Sequence, residues 1–267
     1  MGVHDVADYA DTTHAIIAIR STARDIAVFA NMNSTQNLAL IIGSSGGLGA
    51  ALLAQLEGDA SYAQAIGMSR ITEVSVNYDD ETSIAKAAQY VADLCKTSNL
   101  QLRLLVVATG FLHGDQGQPE RSFTNLDAAY LQHVFKINTL GPAMVMKHFL
   151  PLLPKSGRCV AGFMSAKVGS IGDNALGGWY GYRASKAALN QLVKTASIEL
   201  ARRNKDSICV SLHPGTVATA LSEPFAKTGL NVRPATEAAA NLLAVLAGLS
   251  PLDTGCLVDY RGQKLLF

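Results

Sequence analysis

Tyr182 and Lys186 stand four residues apart in the run Tyr-Arg-Ala-Ser-Lys, a spacing that sets two side chains on one face of a helix. A phenol of ordinary pKa, about 10, is a poor acid–base group at neutral pH. A cation beside it stabilises the phenolate and lowers that value, so the pair can move a proton where the phenol alone could not. Far upstream, an apolar run ends in Gly43-Ser44-Ser45-Gly46-Gly47-Leu48-Gly49 and opens an apolar helix. Glycines at such a turn let backbone N–H groups approach a pyrophosphate at the positive end of the helix. A tight strand–helix turn without a ligand reads the same in isolation. The position after the first buried strand favours the phosphate.

The next apolar run ends in Gly67-Met68-Ser69-Arg70. A dinucleotide with a free ribose 2′-hydroxyl needs an Asp or Glu at this point. Arg70 offers a cationic fork instead, and Ser69 a hydroxyl, which together suit a 2′-phosphate. The expected cofactor is NADPH/NADP, with NADH less favoured. The plain alternative is that Arg70 is a solvated charge at a strand end.

These residues need a scaffold, and the hydrophobic pattern describes one. Short apolar runs (Leu38–Gly43, Ala63–Met68, Glu73–Val76, Leu102–Ala108, Arg158–Met164, Ser207–Leu212, Cys256–Val258) alternate with helical stretches at Leu48–Glu57, Glu81–Lys96, Leu126–Leu153, Tyr180–Arg203 and Thr236–Gly248. Several runs are apolar throughout, as strands buried on both faces of a parallel sheet are. Alternation of this kind predicts an α/β chain: a single-domain, Rossmann-type doubly wound parallel sheet with helices on both faces. The domain spans residues 38–267. Residues 1–37 lack the rhythm and read either as a flexible extension or as a helix packed on a partner subunit.

Composition narrows the function. The chain has 267 residues, 49% hydrophobic and 16% charged, with a net charge of +1. That balance gives no basis for nucleic-acid binding or for an anionic membrane surface. The longest apolar runs fall far short of the ~20 residues of a membrane span. Cys95, Cys159, Cys209 and Cys256 are widely separated and read as free thiols of a reducing compartment, the cytoplasm. With no Cys-x-x-Cys or His-x-x-x-His pair, no metal is expected.

Taken in order, Gly43/Gly47/Gly49, Asn138-Thr-Leu-Gly-Pro142, Tyr182-x-x-x-Lys186 and His213-Pro-Gly-Thr-Val-x-Thr219 resemble the short-chain dehydrogenase/reductase family from Leu38 to the C-terminus. The run Ser165-Ala-Lys-Val-Gly-Ser-Ile-Gly-Asp-Asn174 looks like its C-factor and sniffer-type carbonyl-reductase branch. The resemblance implies hydride transfer between a nicotinamide and a small carbonyl or alcohol substrate, with Tyr182 as general acid. It implies that Lys186 lowers the Tyr182 pKa and binds the nicotinamide ribose, and that Asn138 holds a water in the proton relay. Gly43, Ser45, Gly47, Leu48 and Gly49 would bind the pyrophosphate, and Arg70 the 2′-phosphate. Asn77, Tyr78 and Gly110 would line the adenosine end, and Pro214, Gly215, Val217 and Thr219 would grip the carboxamide. Glu223–Val232 would be a loop over the substrate.

One departure bears on chemistry. Where the family places its carbonyl-binding serine, three residues before Gly169, this chain has Ala166. Ser165, re-aimed by a strand-end bulge, or Ser170 is expected to supply the hydroxyl. A second function class follows from the same departure: a dinucleotide-binding signalling protein that has lost turnover. Finally, Val134, Ile137, Leu140, Val145, Met146, Phe149 and Leu150 spread over more than one helix face. That surplus predicts a homodimer or homotetramer.

Overall fold

Five consecutive apolar residues cannot leave one face in water. In the computed structural model, which describes residues 36–222 and 232–267, Leu38–Ile42 lies within β1 (Asn37–Ile42), where all five are buried. Leu38, Leu40 and Ile42 enter one core, Ala39 and Ile41 the other. β2 (Gln64–Met68) and β3 (Gln101–Val107) flank β1 in parallel. The sheet continues through β4 (Cys159–Met164) and β5 (Ser207–His213). A short pair, β6 (Thr216–Val217) and β7 (Val232–Arg233), stands apart from it. The far edge is β8 (Leu257–Asp259), closed by β9 (Lys264–Leu265), the sheet's antiparallel member.

Helices cover both faces. α1 (Gly47–Glu57) and α6 (Ala235–Gly248) pack on one side, while α2 (Glu81–Thr97), α4 (Gly141–Phe149) and α5 (Tyr180–Arg203) pack on the other. Asp80 caps α2 by accepting the Thr82 N–H, and Asp127 caps the short α3 (Ala128–Phe135) through Tyr130. Strand order is β2-β1-β3-β4-β5-β8-β9, so the chain changes direction between β1 and β3. In a sheet of this kind the crevice beyond the carboxyl ends of those two strands is where ligands bind.

One expectation needs correcting. Glu73–Val76 forms no strand: the Ser69 N–H donates to the Thr72 hydroxyl at 2.8 Å and the Val76 N–H to the Ser69 carbonyl at 3.0 Å. Local bonds have taken the groups that a ladder needs. The helical stretch expected at Leu126–Leu153 runs without a break from Ala128 to Phe149: α3 passes through a π-turn at Lys136–Leu140 into α4, with Pro142 in the first turn of α4. Of the seven apolar residues taken above as a surplus, five (Val134, Val145, Met146, Phe149 and Leu150) are buried within the chain's own fold, and Leu140 remains exposed.

Phe149 and Phe163 are the largest fully buried side chains and share one core with α2 and α5. Phe149→Ala should therefore lower the unfolding free energy by about 3–5 kcal/mol, read as a shift in the urea midpoint with an unchanged slope.

Candidate active site

The glycine turn follows β1 directly. A Cβ on Gly49 would lie 2.1 Å from the Gly43 carbonyl oxygen, so only glycine lets α1 start this close to the strand end. Gly43 takes φ +91, a left-handed value that favours glycine, and faces Ala108 and Thr109 at the end of β3. No side chain caps α1 and no acidic residue occupies its first turn. Its leading N–H groups and positive end therefore face the crevice uncontested. Thr219 closes over Gly47 from the other side, 3.1 Å from where a Cβ would be.

Two cavities meet here, sharing Gly46, Ala108, Thr109 and Gly110. The first, of about 440 Å³, takes Tyr182, Lys186, Ser165, Ala166, Trp179 and the Pro214–Thr219 segment into its walls. The second, of about 500 Å³, is walled by Gly43, Ser45, Ser69, Arg70, Asn77 and Tyr78. Residues far apart in sequence thus line two adjoining cavities, with Tyr182 and Lys186 in one and Arg70 in the other.

Tyr182 and Lys186 share a face of α5 as their spacing requires, with the ammonium nitrogen 5.8 Å from the phenol ring centre. Both are buried. Burial raises the Tyr182 pKa to about 12 and lowers that of Lys186 to about 7. Burial is the cause of the Tyr182 shift, and the expected lowering of the phenol by its lysine is not seen in the chain by itself. Lys186 Nζ instead donates to the Met164 carbonyl at 2.7 Å. Asn138 sits in the π-turn, fully buried. Its amide exchanges two hydrogen bonds of 2.8 Å with the Phe111 backbone and donates to the Ser185 hydroxyl at 3.1 Å.

The serines behave differently from Tyr182. β4 pairs with β5 in regular register through Met164, without the expected bulge. Ser165 borders the first cavity, but its hydroxyl donates to the Asn190 side-chain oxygen at 2.7 Å. Ser170 is buried and accepts the Asp173 N–H at 3.2 Å. Ala166 is the residue that packs on Tyr182 and Leu112.

At the second cavity, Tyr78 bonds Thr109 at 3.0 Å, and burial pushes its phenol well up. Asn77 accepts the Asp79 N–H. Asp79, Asp115, Gln116 and His133 also line this cavity and carried no motif in the sequence. Asp79 is held by Lys136 at 2.5 Å, an ion pair that keeps its carboxyl below the usual range. Glu120 is a further buried residue with no local signal: it meets the start of α5 from 61 positions upstream. Of the expected substrate loop, residues 223–231 lie outside the described residues, as does the extension up to residue 35.

A doubly wound sheet, a glycine turn at its switch point and a buried Tyr/Lys pair over the same groove define a dinucleotide-dependent oxidoreductase. A sequence profile described as short chain dehydrogenase matches residues 37–229. The chain belongs to that family of NAD(P)-dependent oxidoreductases. The C-signal protein of Myxococcus xanthus is 36% identical over 141 residues, 53% of this chain and 81% of that one. The 1-hydroxy-2-glutathionyl-2-methyl-3-butene dehydrogenase of Rhodococcus sp. (strain AD45) is 37% identical over 132 residues, 49% of this chain and 56% of that one. Among solved structures, the carbonyl reductase Sniffer of D. melanogaster superposes with a TM-score of 0.75 at 24% identity, covering 87% of this chain and 100% of that one. An NADPH-bound carbonyl reductase from chicken fatty liver gives 0.74 at 22% identity, covering 87% and 94%. Among the described residues no helix is long and apolar enough to cross a membrane.

The Lys186 shift makes stability depend on pH. Its ordinary value is 10.5 and its folded value about 7. Between those values the unfolded chain holds a proton that the native chain has released, so stability rises with pH across the window and is lost as pH falls toward 7. Lys186→Met should flatten this rise, measured as the difference between urea unfolding curves at about pH 7 and about pH 9.5.

Proposed function

We propose that the protein is an NADPH-dependent reductase of small carbonyl compounds, with Tyr182 as the proton donor. The observation that carries this reading is the joining of the Tyr182–Lys186 cavity to the Arg70 cavity through the glycine turn. The groove fits the cofactor on the chain's own terms: an uncapped helix N-terminus for the pyrophosphate, left without room for side chains at Gly43 and Gly49. NADPH, when bound, supplies the hydride.

Each residue then has a defined task. Gly43, Ser45, Gly47, Leu48 and Gly49 form the pyrophosphate cradle. Arg70, with Ser69 beside it, pairs with the 2′-phosphate, while the competing carboxylate of Asp79 is neutralised by Lys136. Asn77, Tyr78 and Gly110 wall the adenosine. Pro214, Gly215, Val217 and Thr219 wall the nicotinamide, with Thr219 lying over Gly47. Tyr182, a firmly protonated phenol, delivers its proton to the carbonyl oxygen as negative charge develops there. Lys186, close to neutrality in its ionisation, stands behind it to stabilise the resulting phenolate and return a proton. Asn138 holds the Phe111 backbone and Ser185 in place beside this route. Ser165 keeps its hydroxyl on Asn190, so the reading rests proton donation on Tyr182.

The four free thiols suit the cytoplasm. Exposed Leu126, Leu140 and Ile198 support assembly as a homodimer or homotetramer.

Titration with NADPH and NADH, followed by fluorescence, tests the cofactor. Arg70→Asp should weaken NADPH by about 10- to 100-fold, the worth of one charge-assisted contact, and leave NADH nearly unchanged. Equal losses for both would refute the role of Arg70. A screen of quinones, diketones, aldehydes and keto acids tests turnover. Tyr182→Phe should lower kcat by about 10²-fold or more while the cofactor still binds. Activity that survives this change would remove Tyr182 from the mechanism.

A further inference from the structure

Helix α5 carries Tyr182 in its first turn, yet its own residues do not cap it. The residue ahead of it, Trp179, does not cap the helix through its side chain, and the first turn contains no acid. Trp179 also takes a left-handed conformation, φ 53, that costs a bulky side chain energy and persists only where neighbours enforce it. Both needs are met from one place. The carboxylate oxygens of Glu120 lie 3.2 and 3.1 Å from the Gly181 N–H, and its backbone carbonyl accepts the Trp179 N–H at 2.5 Å.

The fit is close on every side. Glu120 is 2% exposed. A Cβ on Gly181 would lie 3.0 Å from its Oε1 and 2.9 Å from Leu131. The two residues it grips, Trp179 and Gly181, bracket the start of α5 and adjoin Tyr182. The Trp179 ring stands edge-on to the Tyr182 ring at 6.1 Å, and both border the 440 Å³ cavity. The opposite end of the loop that carries Glu120 contributes Leu112, which packs on Tyr182 and Ala166. One loop therefore touches the proton donor directly through Leu112 and indirectly through the helix start.

We propose that Glu120 is a positioning residue: by capping α5 from outside the helix it holds Trp179 as a wall of the substrate cavity and sets the reach of Tyr182. The second half of this statement rests on Tyr182 being the proton donor; the first half does not. Glu120→Gln keeps the size and one acceptor oxygen, and Glu120→Ala removes the cap.

Trp179 is the sole tryptophan of the chain, so its fluorescence reports this wall alone. At temperatures where circular dichroism shows native protein, acrylamide quenching of Trp179 should rise about twofold in Glu120→Gln and further in Glu120→Ala. With 2,3-butanedione as the carbonyl probe, kcat should fall about tenfold in Glu120→Gln, the scale of a displaced catalytic group, while NADPH affinity stays within about twofold. Should Glu120→Ala not fold, Glu120→Gln decides. Quenching that stays at the wild-type value overturns the proposal. Exposed Trp179 with unchanged kcat overturns its catalytic half. Wild-type protein that binds NADPH but reduces no carbonyl overturns the reductase reading instead, and Trp179 quenching still decides whether Glu120 holds the wall.

Discussion

The contact between the Gly43 carbonyl and the missing side chain of Gly49 is the constraint on which the groove depends. It seats α1 against the end of β1 and leaves the leading N–H groups of the helix facing the crevice beside β3. With a bulkier residue the helix would have to retreat, and the passage joining the two cavities is built from that same turn. The parallel order of the sheet places Ala108 and Thr109 across from Gly43, so a constraint of a single atom pair is transmitted to both ends of the groove.

Around this frame, buried polar groups are answered by backbone atoms more often than by opposite charges. Lys186 reaches the Met164 carbonyl, Asn138 the backbone of Phe111, and Thr139 the carbonyl of Ser185. A backbone partner is fixed by the fold, so it holds a side chain at a definite place without a second flexible chain. The π-turn at Lys136–Leu140 fits this pattern. Within it, Asn138 and Thr139 both reach α5 at Ser185, the first bonding the Ser185 hydroxyl and the second the Ser185 carbonyl.

Most of the sheet could be read from sequence because strands buried on both faces are largely apolar, as Leu38–Ile42 of β1, β4 and Ile208–Val210 of β5 are. Tyr182 and Lys186 were legible for a similar reason: a helix converts a fixed spacing into a shared face. The failures also share a cause. Ser69, Thr72 and Ser75 compete for backbone groups by local hydrogen bonding, and apolar pattern says nothing about that competition, so Glu73–Val76 reads as a strand. The hydroxyl of Ser165 follows Asn190, a partner 25 residues away that no spacing rule identifies. Glu120 is harder still, because its partners are backbone N–H groups and backbone atoms leave no mark in a sequence.

The sheet ends on one side in β8 and β9, three and two residues long, with β9 running antiparallel. Lys264 in that last strand is tied to Asp253 at 2.8 Å. A parallel sheet that stopped at β5 would expose seven consecutive residues of unpaired backbone, enough to recruit a strand from another molecule. The terminal pair covers Ser211–His213 of that rim, replaces it there with a two-residue edge strand and sets a charge on it, which bears on how the chain resists aggregation when crowded rather than on its chemistry.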